Sequence, residues 1–230
     1  MYLAEKPFIS IQGEGSSQGQ RCLFIRFQQC QLRCCECDSK FSFEKNEKFK
    51  YDVHELNSQF VSNKEINRIV ITGGEPLLED NILDVIEIIK HFPDKQIEIE
   101  TNGAVKIRPY LINFFNETNI LFNISPKHNF PQVSQEYTNK VNTDFIQQCN
   151  EHNLKYIVKI LAKDNSFIKY AREIQDKYFT PFENIYIQPI GINKDDILNK
   201  TIELFNDIVG NGYNVSMRLH VLLYNDMQGV

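Results

Sequence analysis

Apolar residues in this chain fall into short runs set between turns and longer stretches of helical spacing. Cys22-Leu23-Phe24-Ile25-Arg26-Phe27 predicts a buried strand over 22–27. Arg68-Ile69-Val70-Ile71-Thr72, halted by Gly73-Gly74, predicts a second strand and a tight turn. Gln96 to Glu100 alternates as a strand and ends in the turn Thr101-Asn102-Gly103. Further strands are expected at 120–124, 155–161, 185–188 and 215–221. Helices are expected at 53–61, from a cap at Asp80 with Ile82, Leu83, Ile86 and Ile89 inward, and at 166–178. The last predicted helix, 195–209, would bury Leu198, Ile202, Phe205 and Val209 and close at Gly210. Residues 41–50 read as an irregular loop.

Strands alternating with helices imply a parallel sheet with helical crossovers. Seven strands on 230 residues suit an α/β fold of the partial, incomplete TIM-like barrel type. A closed eight-fold barrel typically needs about 250 residues. No repeat, low-complexity tract or linker interrupts the pattern, so residues 1–230 are expected to form a single domain. The apolar content of 42% supplies a core. A net charge of −5 argues against a dedicated nucleic-acid binder but leaves room for a locally positive site. Met1 to Pro7 lacks the pattern of a secretion signal, and no apolar run nears the ~18 residues that cross a bilayer. A cytoplasmic protein is expected. Five of the six cysteines crowd between positions 22 and 37, which fits metal binding better than disulfides.

The crowded stretch holds a Cys-x3-Cys-x2-Cys spacing in Cys30, Cys34 and Cys37. Structural zinc normally takes four protein ligands. An iron–sulfur cube on three cysteines leaves one iron open to a small molecule. A zinc knuckle or plain thiols remain the competing readings of the cysteines alone. Cys35 stands outside the spacing, and Cys22 and Cys149 read as buried apolar residues. Arg26 lies in an otherwise apolar strand and needs an anionic partner, either a ligand carboxylate or an internal ion pair.

The cysteines, with Thr72-Gly73-Gly74-Glu75-Pro76 after an apolar strand, resemble the radical S-adenosylmethionine enzymes. Gln12-Gly13-Glu14-Gly15, Phe24-Ile25-Arg26, Cys37-Asp38-Ser39, Ser125-Pro126-Lys127, Gln188-Pro189 and the run from Arg218-Leu219-His220 to Gly229-Val230 sharpen this. Together they resemble the 7-carboxy-7-deazaguanine synthase family, across nearly the whole chain. That resemblance implies a lyase of queuosine and 7-deazapurine biosynthesis. It would convert 6-carboxy-5,6,7,8-tetrahydropterin to 7-carboxy-7-deazaguanine with loss of ammonia.

The resemblance also implies the ligand sets. Cys30, Cys34 and Cys37 would hold a [4Fe–4S] cluster, and Ser39 would bind Mg²⁺. S-adenosylmethionine would be bound by Glu36, Gly74, Glu75, Ser125, Pro126, Lys127 and Gln188. In this reading Gly73-Gly74 lets the ligand approach the backbone, and Glu75 accepts from the methionyl ammonium. The pterin would meet Ile11, Gln12, Gly13, Glu14, Arg26, Thr72, His220 (in the last strand) and Val230. Backbone amides of Gln12 to Gly15 would face the heterocycle, and Glu14 would accept from its 2-amino and ring N–H. Arg26 would take the substrate carboxylate. Radical S-adenosylmethionine enzymes usually have an aromatic residue just before the third cysteine; Glu36 stands there instead. A homodimer formed through exposed helices and an electron donor such as flavodoxin are the implied partners, with no membrane and no direct nucleic acid. Activation of a glycyl-radical enzyme and a non-catalytic metal module are the two other readings.

Overall fold

The computed structural model describes residues 1–61, 66–127, 130–225 and 227. Two short strands, β1 (Tyr2–Leu3) and β2 (Phe8–Ile11), run antiparallel to β3 (Arg21–Phe27). A further edge strand, β4 (Phe49–Lys50), pairs with β1. From β3 the sheet continues through β5 (Arg68–Gly73), β6 (Gln96–Thr101), β7 (Ile120–Ile124), β8 (Tyr156–Ala162), β9 (Ile185–Pro189) and β10 (Asn214–Val215). Each of these is parallel to its neighbour. The order β10-β9-β8-β7-β6-β5-β3-β1-β4 does not close on itself among the described residues, which gives the expected partial barrel.

The period of two along each strand sorts its side chains. Leu23, Ile25, Ile69, Ile71, Ile97, Ile99, Phe122, Ile124, Val158, Ile160, Ile185 and Ile187 join one buried cluster against the helices. The alternate positions face the concave side. There Cys22, Phe24 and Val70 make a small apolar cluster, and polar residues follow toward the strand ends.

The helices are α1 (Val53–Leu56), α2 (Ile82–His91), α3 (Pro109–Asn116), α4 (Gln135–Thr138), α5 (Asp144–Glu151), α6 (Ser166–Tyr178), α7 (Lys194–Gly210) and α8 (Leu219–Tyr224). Asp52 and Glu55 form a reciprocal capping box on α1, which widens into a π turn over Asn57–Val61.

Four expectations are corrected. Asn81, not Asp80, precedes α2; Asp80 pairs with Lys45 on the surface. The buried face of α2 is Ile82, Val85, Ile88 and Ile89, while Leu83 is exposed. On α7 the sheet takes Ile197, Thr201, Leu204 and Ile208. The predicted stripe Leu198, Ile202, Phe205, Val209, one position on, is left exposed. Both stripes have the same spacing, and Thr201 fits the buried one because its hydroxyl donates to Ile197 O at 2.7 Å. Helix α7 also runs through Gly210, and Gly212 adopts the positive φ of 82° beyond it.

The strand expected at 215–221 is the largest departure. β10 ends at Val215, and α8 starts at Leu219. Ser216 N makes the last bond to β9, to Ile187 O at 2.9 Å, and its hydroxyl donates to Gln188 Oε1 at 2.9 Å. Leu219 N then donates to Gly13 O at 3.0 Å, which swings the chain over the concave face. His220 therefore sits on a short helix, not in a strand.

Candidate active site

The cysteine loop leaves the end of β3 and is fixed from below by the loop that follows β5. Gly74 N donates to Phe27 O at 3.1 Å and Glu75 N to Gln29 O at 2.7 Å. A Cβ on Gly74 would stand 2.0 Å from Gln29 O. The paired glycines thus admit the chain's own backbone at the root of the cysteine loop, rather than leaving open space for a ligand. Gly73, at φ 139°, meets the Phe27 backbone in the same way.

Glu75 is fully buried and turned inward. Its carboxylate accepts from Leu77 N (3.0 Å), Thr101 Oγ1 (2.8 Å) and Asn102 N (2.8 Å). Burial raises its pKa to about 7, against the pull of those donors. In this arrangement Glu75 ties the β5 loop to the end of β6.

Cys30, Cys34 and Cys37 stand on this one loop, with Cys34 8% exposed. Burial, then the charge of Glu75, pushes the Cys30 thiol up to about 12, and Cys34 and Cys37 add to it as neighbours. Each sulfur has a polar neighbour: Leu32 N (3.4 Å) and Asn102 Nδ2 (3.5 Å) at Cys30, Gln132 Nε2 (3.0 Å) at Cys34, Ser39 Oγ (3.6 Å) at Cys37. Among the described residues no three of His, Cys, Asp and Glu are placed to share one metal ion. A cube asks something different of its cysteines, one thiolate for each of three irons, with N–H donors to sulfur. This donor set fits that demand. Cys35 is exposed, while Cys22 and Cys149 are fully buried.

Opposite the cysteines, the loop after β2 folds over the concave face. Gln12 is buried: it donates to Glu98 (2.9 Å) and Glu100 (3.2 Å) and accepts from Glu14 N (3.1 Å). Gly15 N donates to Ser216 Oγ at 2.9 Å. The amides of Glu14 and Gly15, expected to face a heterocycle, are therefore spent on the protein itself. Glu98, fully buried, is the floor of this network and also accepts from Ser17, Asn123 and Arg68. Ile11 pairs with Arg21 at the end of β2.

Glu14 itself reaches the concavity. Lys159 of β8 contacts it directly, Arg218 Nε stands at 3.2 Å and His220 Nε2 at 3.9 Å. Burial alone would raise its pKa, but Lys159, Arg218 and His220 together hold it well below the usual carboxylate range. The His220 ring covers Gly13, where any Cβ would collide with it, and burial lowers its pKa. Arg26 and Thr72 are register partners on β3 and β5, and Thr72 is buried. Arg26 gives its Nε to Glu5 at 2.6 Å, so its anionic partner here is internal.

The remaining predicted positions line the strand ends. Ser125 and Pro126 are buried, and Lys127, half-buried, donates to Ser125 Oγ at 2.7 Å. Burial lowers the pKa of Lys127, with Lys159 adding to it. Gln188 is buried beside Ser216. Glu36 faces outward and pairs with Lys163 at 2.5 Å. Val230 lies outside the described residues. Arg218 completes the arrangement: it spans Glu14 and, at 2.7 Å, Asp38 of the cysteine loop.

Residues 11–107 match the family model described as a 4Fe-4S single cluster domain. The chain is 31% identical over 237 residues to the 7-carboxy-7-deazaguanine synthase of Thermoplasma acidophilum, spanning 99% of this chain and 100% of that protein. The protein of the same name from Buchnera aphidicola is 30% identical over 244 residues, spanning 96% and 98%. The chain belongs to the 7-carboxy-7-deazaguanine synthase family. In fold it is similar to the crystal structure of QueE from Escherichia coli, with TM-score 0.68 at 21% identity over 94% of this chain and 93% of that one. It is also similar to Streptococcus suis SuiB bound to S-adenosylmethionine, with TM-score 0.56 at 12% identity over 89% and 54%. The relatives that define the family are enzymes named for 7-carboxy-7-deazaguanine synthesis, and the 4Fe-4S match spans the cysteine loop at 30–37. Among the described residues no helix is long and apolar enough to cross a membrane.

Sequence reasoning passed over Lys159, Glu98 and Gln132, and quoted Asp38 and Arg218 in motifs without giving them a role. Lys159 carried a usable signal. It is a lone charge inside the apolar run Tyr156-Ile157-Val158-Lys159-Ile160-Leu161, the same pattern that singled out Arg26. Gln132 carried none, since its role depends on a contact 98 residues away.

Proposed function

We propose that the chain converts 6-carboxy-5,6,7,8-tetrahydropterin to 7-carboxy-7-deazaguanine and ammonia. The observation that carries this reading is Arg218. One guanidinium joins Glu14, in the pocket offered to the pterin, to Asp38, next to Cys37. Substrate and cluster loop are thereby one side chain apart.

Cys30, Cys34 and Cys37 would hold the cluster, and the bound cluster with S-adenosylmethionine supplies a carbon-centred radical. The protein's residues do the positioning. Glu14, kept anionic by its cations, accepts from the 2-amino and ring N–H of the pterin. Arg26, aimed by Glu5, offers its η nitrogens to the substrate carboxylate. Thr72 and His220 close the pocket walls. Ser125, Lys127 and Gln188 would bind S-adenosylmethionine at the neighbouring strand ends. Ser39 would contribute one oxygen to Mg²⁺, a hard ion that keeps several waters.

Two partners complete the reading. A flavodoxin-type protein would deliver the electron. A second copy of the chain would cover the exposed stripe of Leu198, Ile202, Phe205 and Val209 on α7. The deciding experiment is anaerobic: reconstitute the cluster, add S-adenosylmethionine, Mg²⁺, a reductant and the carboxypterin, and follow product by absorbance and mass. Product without net loss of S-adenosylmethionine is expected. A formed cluster that yields only 5′-deoxyadenosine would reject the substrate.

A further inference from the structure

Residues 130–133 have no part in the scheme above, yet they are laid along the cysteine loop as a strap. Cys34 and Gln132 face each other as an isolated antiparallel bridge. Cys35 N donates to Pro131 O and Val133 N to Arg33 O, both at 2.9 Å. Phe130 is held from the other side. The Lys163 ammonium lies 5.4 Å from its ring centre while pairing with Glu36, between Cys34 and Cys37.

The side chain of Gln132 is used at both ends. Its Oε1 accepts from Arg33 N at 2.9 Å. Its Nε2 donates to Cys34 Sγ at 3.0 Å and also meets Phe130 O at 3.4 Å. Arg33 N can only donate, so it fixes the amide with oxygen toward Arg33 and nitrogen toward sulfur. Among the described residues this is the shortest of the polar contacts to the three sulfurs; the others run from 3.4 to 3.7 Å. Cys34 is also only 8% exposed, so water has little room to supply the same bond.

We infer that Gln132 sets the reduction potential of the cluster bound at Cys30, Cys34 and Cys37, and that the 130–133 strap positions it. The inference rests on the radical-enzyme reading above. An N–H donor to a cluster thiolate draws electron density from the sulfur and stabilises the reduced state. Gln132 acts through the sulfur of Cys34, so it is a positioning residue.

The test is a potentiometric titration of the anaerobically reconstituted holoenzyme, followed by electron paramagnetic resonance. The wild type is compared with Gln132→Leu, which removes the donor, and Gln132→Glu, which keeps the acceptor for Arg33 N. Both variants should titrate at a more negative midpoint than wild type, Gln132→Glu by more because it adds charge. An unchanged midpoint in variants carrying full clusters would overturn the inference. So would a loss of iron content with an unmoved midpoint for the clusters that form, since that is what a purely structural strap would give. If Gln132→Leu assembles no cluster, Gln132→Glu decides by the same criterion. A wild-type chain that assembles no [4Fe–4S] cluster would overturn the enzyme reading, and this inference with it.

Discussion

Glu5 holds Arg26 by its Nε at 2.6 Å, and no described residue takes the two η nitrogens. The ring of Phe41, 5.9 Å from the guanidinium carbon, supports the same group. An arginine fixed at Nε keeps its outer fork for a carboxylate. Charge-assisted hydrogen bonds contribute about 1.5–3 kcal/mol each. Arg26→Ala should therefore weaken carboxypterin binding by roughly 10- to 100-fold. Glu5→Ala should raise KM by less and leave kcat nearly unchanged. A tetrahydropterin lacking the carboxyl should bind all three proteins alike. Equal losses for both pterins in Arg26→Ala would place the carboxylate elsewhere.

Lys159 governs the charge of Glu14. The folded pKa of Glu14 is depressed, so its contribution to stability is present above the ordinary carboxylate value of 4.5 and lost as pH falls through the lowered one. Wild-type affinity for the pterin should then show no step from Glu14 between pH 5 and 8. In Lys159→Met the burial of Glu14 is less well offset, and its pKa rises. Affinity in that variant should fall steadily as pH drops toward 5. Binding isotherms across this range check the point, and a flat profile in Lys159→Met would remove Lys159 from the role.

Much of this arrangement was legible before any coordinates. The strand ends, the cysteine spacing and the Gln12–Gly15 loop all fall at the concave mouth, as the alternation of strands and helices implied. The failures have physical causes. On α7, two stripes of equal spacing compete, and only the shape of the sheet chooses between them. After Ser216 the chain turns away to bond Gly13 O through Leu219 N, a partner distant in sequence, although the run's composition still favours a strand. Glycines 73 and 74 read as places where a ligand approaches the backbone. In the fold they also make room for the backbone at Phe27 and Gln29, which no local pattern reveals. Glu5 and Gln132 each act through a partner that is distant in sequence.

Glu75 gives the folded chain a pH dependence of the opposite sign to Glu14. Its pKa is raised from 4.5 to about 7, so the folded state holds a proton there that the unfolded chain has lost. The associated stability is full below 4.5 and declines as pH rises through about 7. Glu75→Gln should abolish that slope in the cluster-free protein. The amide nitrogen would also face the N–H of Asn102, a cost of about 1–3 kcal/mol. Urea midpoints at pH 5 and pH 8 test both statements, and a slope that survives in Glu75→Gln would assign it to another group.

The α7 stripe gives a prediction about assembly. Ile202 is 66% exposed and Phe205 48%, on a helix whose other stripe is already buried. The double variant Ile202→Glu, Phe205→Glu should shift the protein from dimer to monomer in light scattering and leave its melting temperature nearly unchanged. Leu83, exposed on α2, serves as the control. Its replacement by Glu should change neither property. A wild type that is monomeric at micromolar concentration would remove the second copy from the proposal.

Gly74 tests whether the loop after β5 acts on the cysteines through the backbone. Its missing Cβ leaves room for Gln29 O, and the next residue, Glu75, ties its own N–H to that same oxygen at 2.7 Å. Gln29 has a φ of 66°, a left-handed conformation that a non-glycine residue holds only when its surroundings fix it. Gly74→Ala must push Gln29 away, break the bond from Glu75 N, and release the adjoining Cys30. Two losses should appear together. Stability should fall by about 1–3 kcal/mol, as for other overpacked sites. Iron content after reconstitution should also drop, because Cys30 no longer stands where Cys34 and Cys37 require it. Gly210→Ala is the matched control, since nothing lies within 4 Å of its would-be Cβ and the residue is helical. That variant should be neutral or slightly stabilising, in keeping with helix propensity. Iron analysis and thermal melts on the two variants separate a defect in the cysteine loop from a general loss of folding. A Gly74→Ala protein with full iron and a lowered melting temperature would mean that the cysteine loop does not depend on the loop after β5 for its place.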